Sequence, residues 1–359
     1  MTKDQRWYLF PAITVRAKRG WRLLTVLSLW GLLGTGMGLG GCVAPGGDHR
    51  GPGDRPPALK EDAIIARDGY LLPLRHWRAK GEARGAVLAL HGFNDYSKAF
   101  EVLAEPITAQ GFDLYAYDQR GFGKTQLAGL WPGEALLIQD ALTASQLLRA
   151  RYPQKSLYLM GESMGAAVSM IALTGQEPVP VDGAVLISPA VWSRKTMPWY
   201  QRFALWVGER LMPALTFSGR TADRIGVQPT DDPEVMRQMA LDPLVLKSST
   251  VASLSGITDV MDDALEASSR LSGETLILYG DRDEVIPARP FCALLERLPE
   301  AQATPWRLAL YPGGYHMLTR YTEAGQVRDD IRAWLEDPAG SLPSGHESGR
   351  QEALKHLCD

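Results

Sequence analysis

Between residue 63 and residue 336, short apolar runs alternate with stretches of helical period. The runs Ala86 to Leu90, Asp113 to Tyr117, Leu157 to Met160, Ala184 to Ile187, Thr275 to Tyr279 and Arg307 to Tyr311 have the length of buried strands. Helical patterns fall between them at Ala99 to Ala109, Gly133 to Ala150, Met164 to Thr174, Arg289 to Arg297 and Ala324 to Leu335. Ahead of the series, Ala63 to Arg67 and Tyr70 to Trp77, joined through Asp68-Gly69, read as an antiparallel hairpin. Such alternation predicts an α/β domain, a mostly parallel twisted sheet with helices on both faces. In sheets of that kind the functional residues belong at the carboxyl ends of the strands.

One stretch breaks the alternation. Residues 191–268 carry no legible strand, but Trp199, Phe203 and Trp206 fall at helical spacing beside Leu205, Leu211 and Met212. These residues fit a helical core packed on the main body and, equally, a helical cap over an apolar pocket. The division this predicts is a core of residues 61–190 and 269–336, with residues 191–268 as the inserted cap.

The two ends differ from the rest. Lys3, Arg6, Arg16, Lys18, Arg19 and Arg22 precede an uncharged run from Leu23 to Gly47, the pattern of a signal peptide or membrane anchor over residues 1–41. Within it Leu39-Gly40-Gly41-Cys42 resembles a bacterial lipobox, the signal whose cysteine sulfur is acylated and becomes the mature N-terminus. That resemblance implies a lipid-anchored protein of the bacterial envelope facing the periplasm. Val43 in place of Asp removes the usual retention signal and points to the outer membrane. A single uncleaved transmembrane anchor is the alternative. Gly36, Gly38 and Gly41 also spell G-x-G-x-x-G, but no strand precedes them, which excludes a dinucleotide site. Residues 42–60, rich in Gly and Pro, read as a flexible tether. Residues 337–359 read as a polar tail that frays.

Composition narrows the function classes. The chain has 359 residues, 45% of them hydrophobic, and a formal charge of −3, enough for a large core and without a basic stripe, so nucleic-acid binding is excluded. Its three cysteines, Cys42, Cys292 and Cys358, lack the spacing of a zinc site or a disulfide framework, and Cys292 reads as a buried apolar helix residue.

The chemistry lies at the strand ends. Leu157 to Met160 runs into Gly161-Glu162-Ser163-Met164-Gly165, a strand–turn–helix context in which glycines two residues to either side leave room for a serine raised on a sharp elbow. Ala86 to Leu90 ends in HGFNDYS, Thr275 to Tyr279 in GDRDEVIP, and Arg307 to Tyr311 in PGGYHM. Ser, Asp and His therefore appear in that chain order at separate strand ends. His91 precedes the nucleophile and reads as a brace for its loop. Asp281 is a rival to Asp283. In Asp118 to Gly123 the glycines permit a tight turn, with Asp118 and Arg120 expected to bond within the loop.

HGFNDYS, DQRGFGKT, GESMG, SPA, GDRDEVIP and GGYH together resemble the α/β-hydrolase superfamily over residues 63–336, its monoacylglycerol lipase and lysophospholipase branch in particular. The resemblance implies an α/β-hydrolase fold with a triad of Ser163, Asp283 and His316, in which the family's pattern selects Asp283 over Asp281. It implies an oxyanion hole of the Phe93 and Met164 backbone N–H groups, although Phe93 is bulkier than the residue often found there. It implies hydrolysis of lipid or acyl-ester substrates through an acyl-enzyme, with no metal or organic cofactor. A serine aminopeptidase and a non-catalytic envelope binding protein on the same fold are the rival functions. Proline iminopeptidase relatives usually carry HGGPG where this chain has HGFND, and Ser163 in place of Asp argues against dehalogenase or epoxide hydrolase chemistry.

Overall fold

In the computed structural model the described residues are 49–218, 227–300 and 305–358. The basic and apolar N-terminal segment and Cys42 lie outside them. Among the described residues, no helix is long and apolar enough to cross a membrane.

Nine strands form one sheet. In chain order they are β1 (Ala58–Leu59), β2 (Ala63–Ile65), β3 (Leu71–Trp77), β4 (Gly85–Leu90), β5 (Phe112–Tyr117), β6 (Ser156–Glu162), β7 (Gly183–Ile187), then β10 (Glu274–Gly280) and β11 (Trp306–Tyr311), with β8 (Thr216–Ser218) and β9 (Ser248–Thr250) lying elsewhere. The spatial order is β1-β2-β3-β5-β4-β6-β7-β10-β11. The first three strands run antiparallel to their neighbours and the remaining pairs are parallel. Each apolar run of the sequence is one of these strands, extended by one to three residues.

Side chains alternate across the sheet, and both alternating sets are buried, which is why the strands read as continuous apolar runs. Leu88, Leu159, Leu186 and Ile277 face one layer of helices, α2 (Glu134–Arg151), α3 (Met164–Thr174), α6 (Val251–Ala267) and α7 (Ala288–Arg297). Val87, Met160, Val185 and Leu278 face the other, α1 (Glu101–Ala109) and α8 (Ala324–Glu336). Each Leu or Val removed from water in this way stabilises the fold by about 1.5–3 kcal/mol before conformational entropy is counted. The mostly parallel sheet with helices on both faces that the pattern predicts, and the α/β-hydrolase fold that the resemblance implies, are the architecture observed.

Residues 191–268 hold α4 (Trp199–Leu211), α5 (Pro233–Leu241) and α6. They also contain a two-stranded antiparallel ribbon that the sequence did not signal, β8 (Thr216–Ser218) with β9 (Ser248–Thr250). Three residues each is too short for a period of two to stand out. The α4 aromatics do not enter the core: Trp199 is 71% exposed, Phe203 59% and Trp206 51%, whereas Leu205 between them is buried.

Three expectations about loops and ends need correction. Residues 337–358 do not fray. The segment lies along β11 through Leu310 N–H to His346 C=O and Ser348 N–H to Leu308 C=O, each 2.9 Å, and closes an otherwise open sheet edge. It ends in α9 (Arg350–Cys358), whose Cys358 is disulfide-bonded to Cys292 of α7. Cys292 is therefore buried but not a simple apolar residue. A 66-residue spacing between two cysteines carries no local signal; only the fold brings their Cα atoms to 6.2 Å. Closing a loop of that length stabilises by about 4 kcal/mol in the chain-entropy model.

Residues 49–53 are likewise bound to the body. The side chain of Arg120 reaches out of its own loop to the His49 carbonyl at 2.6 Å and forks onto Asp68 and Asp140 at 2.6–2.8 Å, while Asp68 accepts from the Gly51 N–H. Asp118 does bond locally, accepting from Lys124 N–H at 2.8 Å, but it also accepts from Ser97 N–H in the segment after β4 at 3.0 Å. Residues 49–53 of the expected tether are held through their own backbone groups, which composition cannot reveal.

Candidate active site

β6 delivers the chain to Ser163 and α3 carries it away. Ser163 has φ 55° and ψ −114°, a left-handed conformation that costs an L-residue about 1–3 kcal/mol. The turn is held by Ser163 N–H to Ile187 C=O at 2.9 Å and by Ala167 and Ala190 N–H groups to its own carbonyl at 3.1 Å. The flanking glycines are steric requirements. A Cβ on Gly161 would stand 2.4 Å from the Gly165 carbonyl, and one on Gly165 would stand 1.9 Å from the Leu90 carbonyl.

His316 follows β11 and Asp283 follows β10, adjacent parallel strands whose ends lie side by side. His316 Nε2 is 2.9 Å from Ser163 Oγ and Nδ1 is 2.7 Å from Asp283 Oδ2. The other carboxylate oxygen, Oδ1, accepts from Val285 N–H at 2.9 Å and Ile286 N–H at 2.8 Å. This fixes the carboxylate plane, so Nδ1 carries the proton toward Asp283 and Nε2 is left to accept from Ser163. Burial alone would lower the pKa of His316. The Asp283 charge and hydrogen bond, with Glu162 behind them, outweigh burial, and the imidazole titrates above its ordinary value. The structure thus joins Ser163, Asp283 and His316.

The loop after β4 runs against the serine, since a Cβ on Gly92 would be 3.3 Å from Ser163 Cβ. Phe93 comes next, and its ring turns away into Phe122 and Trp131, at centroid distances of 5.6 and 6.3 Å. Its bulk is therefore absorbed by an aromatic cluster while its backbone stays on the loop beside the serine. Met164 is the first residue of α3, so its N–H has no intrahelical acceptor. His91 is fully buried, with Nδ1 on the Gly92 carbonyl at 2.8 Å and Nε2 accepting from Gln119 N–H at 2.9 Å. Burial lowers its pKa. It ties the loop after β5 to the loop after β4 and does not contact the serine–histidine pair.

One cluster was not anticipated from the sequence. Arg320, four residues past His316, forks its buried guanidinium onto Asp95 at 2.8 Å and Glu162 at 2.9 Å. Asp95 belongs to the loop after β4 and Glu162 is the residue before Ser163, so one cation ties three of the loops at the site together. The signal in the sequence was the unusual charge inside GESMG and HGFND, each lacking a visible partner. Arg320→Met would leave two buried carboxylates unpaired, and loss of about 3–5 kcal/mol is expected. Thermal or denaturant unfolding checks this, with kcat/KM falling in parallel because the three loops lose their common tie.

A serine on a strained strand-to-helix elbow, next to a histidine and its carboxylate, on this sheet, defines a hydrolase of the α/β-hydrolase fold. The chain belongs to the family described as serine aminopeptidase, S33, which matches residues 81–323. Several of the relatives that it resembles carry lipase names. The monoacylglycerol lipase of Mycolicibacterium smegmatis is 26% identical over 269 residues, covering 72% of this chain and 90% of the relative. The monoglyceride lipase of Homo sapiens is 22% identical, covering 76% and 89%. Among solved structures, a soluble variant of the Saccharomyces cerevisiae monoglyceride lipase in complex with a substrate analog superposes with a TM-score of 0.64 at 19% identity, covering 80% of this chain and all of that one. The monoacylglycerol lipase of Paleococcus ferrophilus gives 0.60 at 22% identity, covering 75% and 99%. The protein is a hydrolase of the lipase and esterase class.

Proposed function

We propose that the protein is a serine carboxylester hydrolase acting on monoacyl lipids, of monoacylglycerol lipase or lysophospholipase type. The observation that carries the catalytic part is the unbroken relay from Ser163 Oγ to His316 at 2.9 Å and from His316 to Asp283 at 2.7 Å. Ser163 Oγ attacks the ester carbonyl while His316 Nε2 takes its proton and Asp283 stabilises the imidazolium. The oxyanion sits between the Phe93 and Met164 N–H groups, each worth about 3 kcal/mol in the transition state. His316 then protonates the departing alcohol. Water repeats the cycle on the acyl-enzyme, its proton passing to His316 and then to Ser163 Oγ as the fatty acid leaves.

The lipid substrate is supported by the names of the Mycolicibacterium smegmatis and Homo sapiens relatives, monoacylglycerol and monoglyceride lipases, and by the exposed aromatic face of α4 in the inserted segment. An envelope location is supported by the Leu39 to Cys42 signal and by the Cys292–Cys358 disulfide, since such bonds persist in oxidising compartments. In this reading the mature chain begins at an acylated Cys42 on the periplasmic side, most readily at the outer membrane. The acyl groups hold it beside its substrates.

Two measurements test this. Rates on monoacylglycerols and lysophospholipids are expected to exceed those on short soluble esters. Equal or faster turnover of the short esters would remove the lipid claim. Mass spectrometry of the envelope fraction is expected to find lipid on an N-terminal Cys42, and an intact Met1 would remove the anchor. The family's description favours one other reading, a serine aminopeptidase. Peptide amides in the same panel decide it, with faster cleavage of amides than of esters as the outcome that selects the peptidase.

A further inference from the structure

The acid and base loops of the site are riveted to each other by a residue outside the relay. Asp281 N–H donates to the Tyr311 carbonyl at 3.1 Å and Arg282 N–H to the Gly314 carbonyl at 3.0 Å. In return the Gly313 N–H donates to Asp281 Oδ1 at 2.7 Å. The backbones are in direct contact here, since a Cβ on Gly280 would stand 2.2 Å from the Gly314 carbonyl. Gly313, at φ +71°, turns the chain as glycine does freely, so the bond from its N–H to Asp281 is what fixes this turn, and His316 lies three residues beyond it. Asp281 is thus bonded to the His316 loop from a position two residues before Asp283.

The second oxygen of Asp281 is held from outside the hydrolase core. His356 Nε2, on the terminal helix α9, stands 3.1 Å from Asp281 Oδ2. A nine-residue helix does not persist on its own. The last turn of α9, which carries His356, is fastened by Cys358 to the buried Cys292 of α7, and Ala353 anchors its middle in the core. The chain of contacts runs from disulfide to terminal helix to His356 to Asp281 to the Gly313 amide, and ends at the loop that presents the base.

We propose that Asp281 is a positioning residue for the Ser163–His316 pair, held in register by a disulfide-stapled terminal helix. This deepens the proposed serine hydrolase reading and rests on it. The Asp281 carboxylate bonds to the Gly313 N–H and His356 and takes no part in the Ser163–His316–Asp283 relay. It fixes where the His316 loop stands, and errors of an ångström or less in such geometry carry a large rate penalty. The staple acts through Asp281 by keeping His356 in place, so the C-terminal segment, absent from any motif of the site, governs how well the base is aimed.

The test uses the full-length protein, well below its unfolding temperature, with kcat, KM and the rate of fluorophosphonate labelling as readouts. Asp281→Ala is expected to lower kcat and the labelling rate about tenfold with KM unchanged. Asp281→Asn keeps an acceptor for the Gly313 N–H and is expected to recover most of that loss. Cys358→Ser is expected to lower kcat about threefold in the parent and to add nothing in the Asp281→Ala background, because both act through one residue. Reduction of the parent by a dithiol, which is oxidised to its cyclic disulfide as Cys292 and Cys358 become thiols, should match Cys358→Ser. A normal kcat in Asp281→Ala, a loss confined to KM, or a Cys358→Ser effect of equal size in both backgrounds would overturn the proposal. Ser163→Ala separates the two levels: persistent labelling there defeats the hydrolase reading, whereas abolished labelling with a normal Asp281→Ala defeats only this inference.

Discussion

Replacement of Ser163 by alanine is expected to abolish fluorophosphonate labelling and lower ester hydrolysis about a million-fold, the scale seen when the nucleophile of a triad is removed. The fold should survive it. The change deletes one oxygen, and the turn is held by backbone bonds from Ser163 N–H to Ile187 and from Ala167 and Ala190 to the Ser163 carbonyl, none of which involves the hydroxyl. A second variant sharpens the point. At φ 55° and ψ −114° the serine occupies a conformation that glycine adopts freely. Ser163→Gly is therefore expected to be as inactive as Ser163→Ala and more stable than the parent by about 1 kcal/mol. Denaturant unfolding of the three proteins checks this. The pairing of lost activity with gained stability marks strain that the elbow holds for the sake of the hydroxyl's position. Retained labelling in either variant would move the nucleophile elsewhere.

The elements that the sequence announced are those whose signal is local and repeated. β6 and β10 read as apolar runs because both their faces are buried, and α3 as a small-residue helix because it packs tightly behind Ser163. The elbow and the His316 and Asp283 loops were legible for a different reason. In a mostly parallel sheet functional residues stand at strand ends, which the apolar runs locate, while the choice of Asp283 over Asp281 came from the family resemblance. What stayed hidden depends on partners distant in sequence. Arg320 pairs with Asp95 across 225 residues and with Glu162 across 158. Arg120 grips His49 across 71, and Cys358 finds Cys292 across 66. Polarity suggested a fraying tail after residue 336, whereas backbone bonds to β11 pin it, and backbone bonding leaves no compositional trace. The α4 aromatics failed in the other direction. Helical spacing correctly gave a helix but could not say that Trp199, Phe203 and Trp206 point to solvent.

Loss of the base or of its carboxylate is expected to rank next after loss of the serine, and the two should differ in kind. His316→Ala removes the proton acceptor outright and is expected to cost nearly as much as Ser163→Ala. Asp283→Asn is expected to cost somewhat less, about ten-thousand-fold, and the structure gives the reason. Oδ1 is committed to the N–H groups of Val285 and Ile286, so the amide oxygen of asparagine must stay there and its NH2 must face His316 Nδ1. Nδ1 is then forced to accept, the ring proton moves to Nε2, and Ser163 faces a donor in place of a base. The pH profile separates this from mere disorder. His316 works only when neutral, and its raised pKa means that activity in the parent falls off already above the pH of an ordinary histidine. Without the Asp283 charge, burial dominates and lowers that pKa. The acid limb of kcat/KM in Asp283→Asn should therefore move to lower pH while the plateau drops. Asp281→Asn, which keeps the acceptor for Gly313, should leave the acid limb where it is in the parent. If Asp281→Asn instead proves the more damaging change and shifts the limb, Asp281 is the acid of the triad and Asp283 is not.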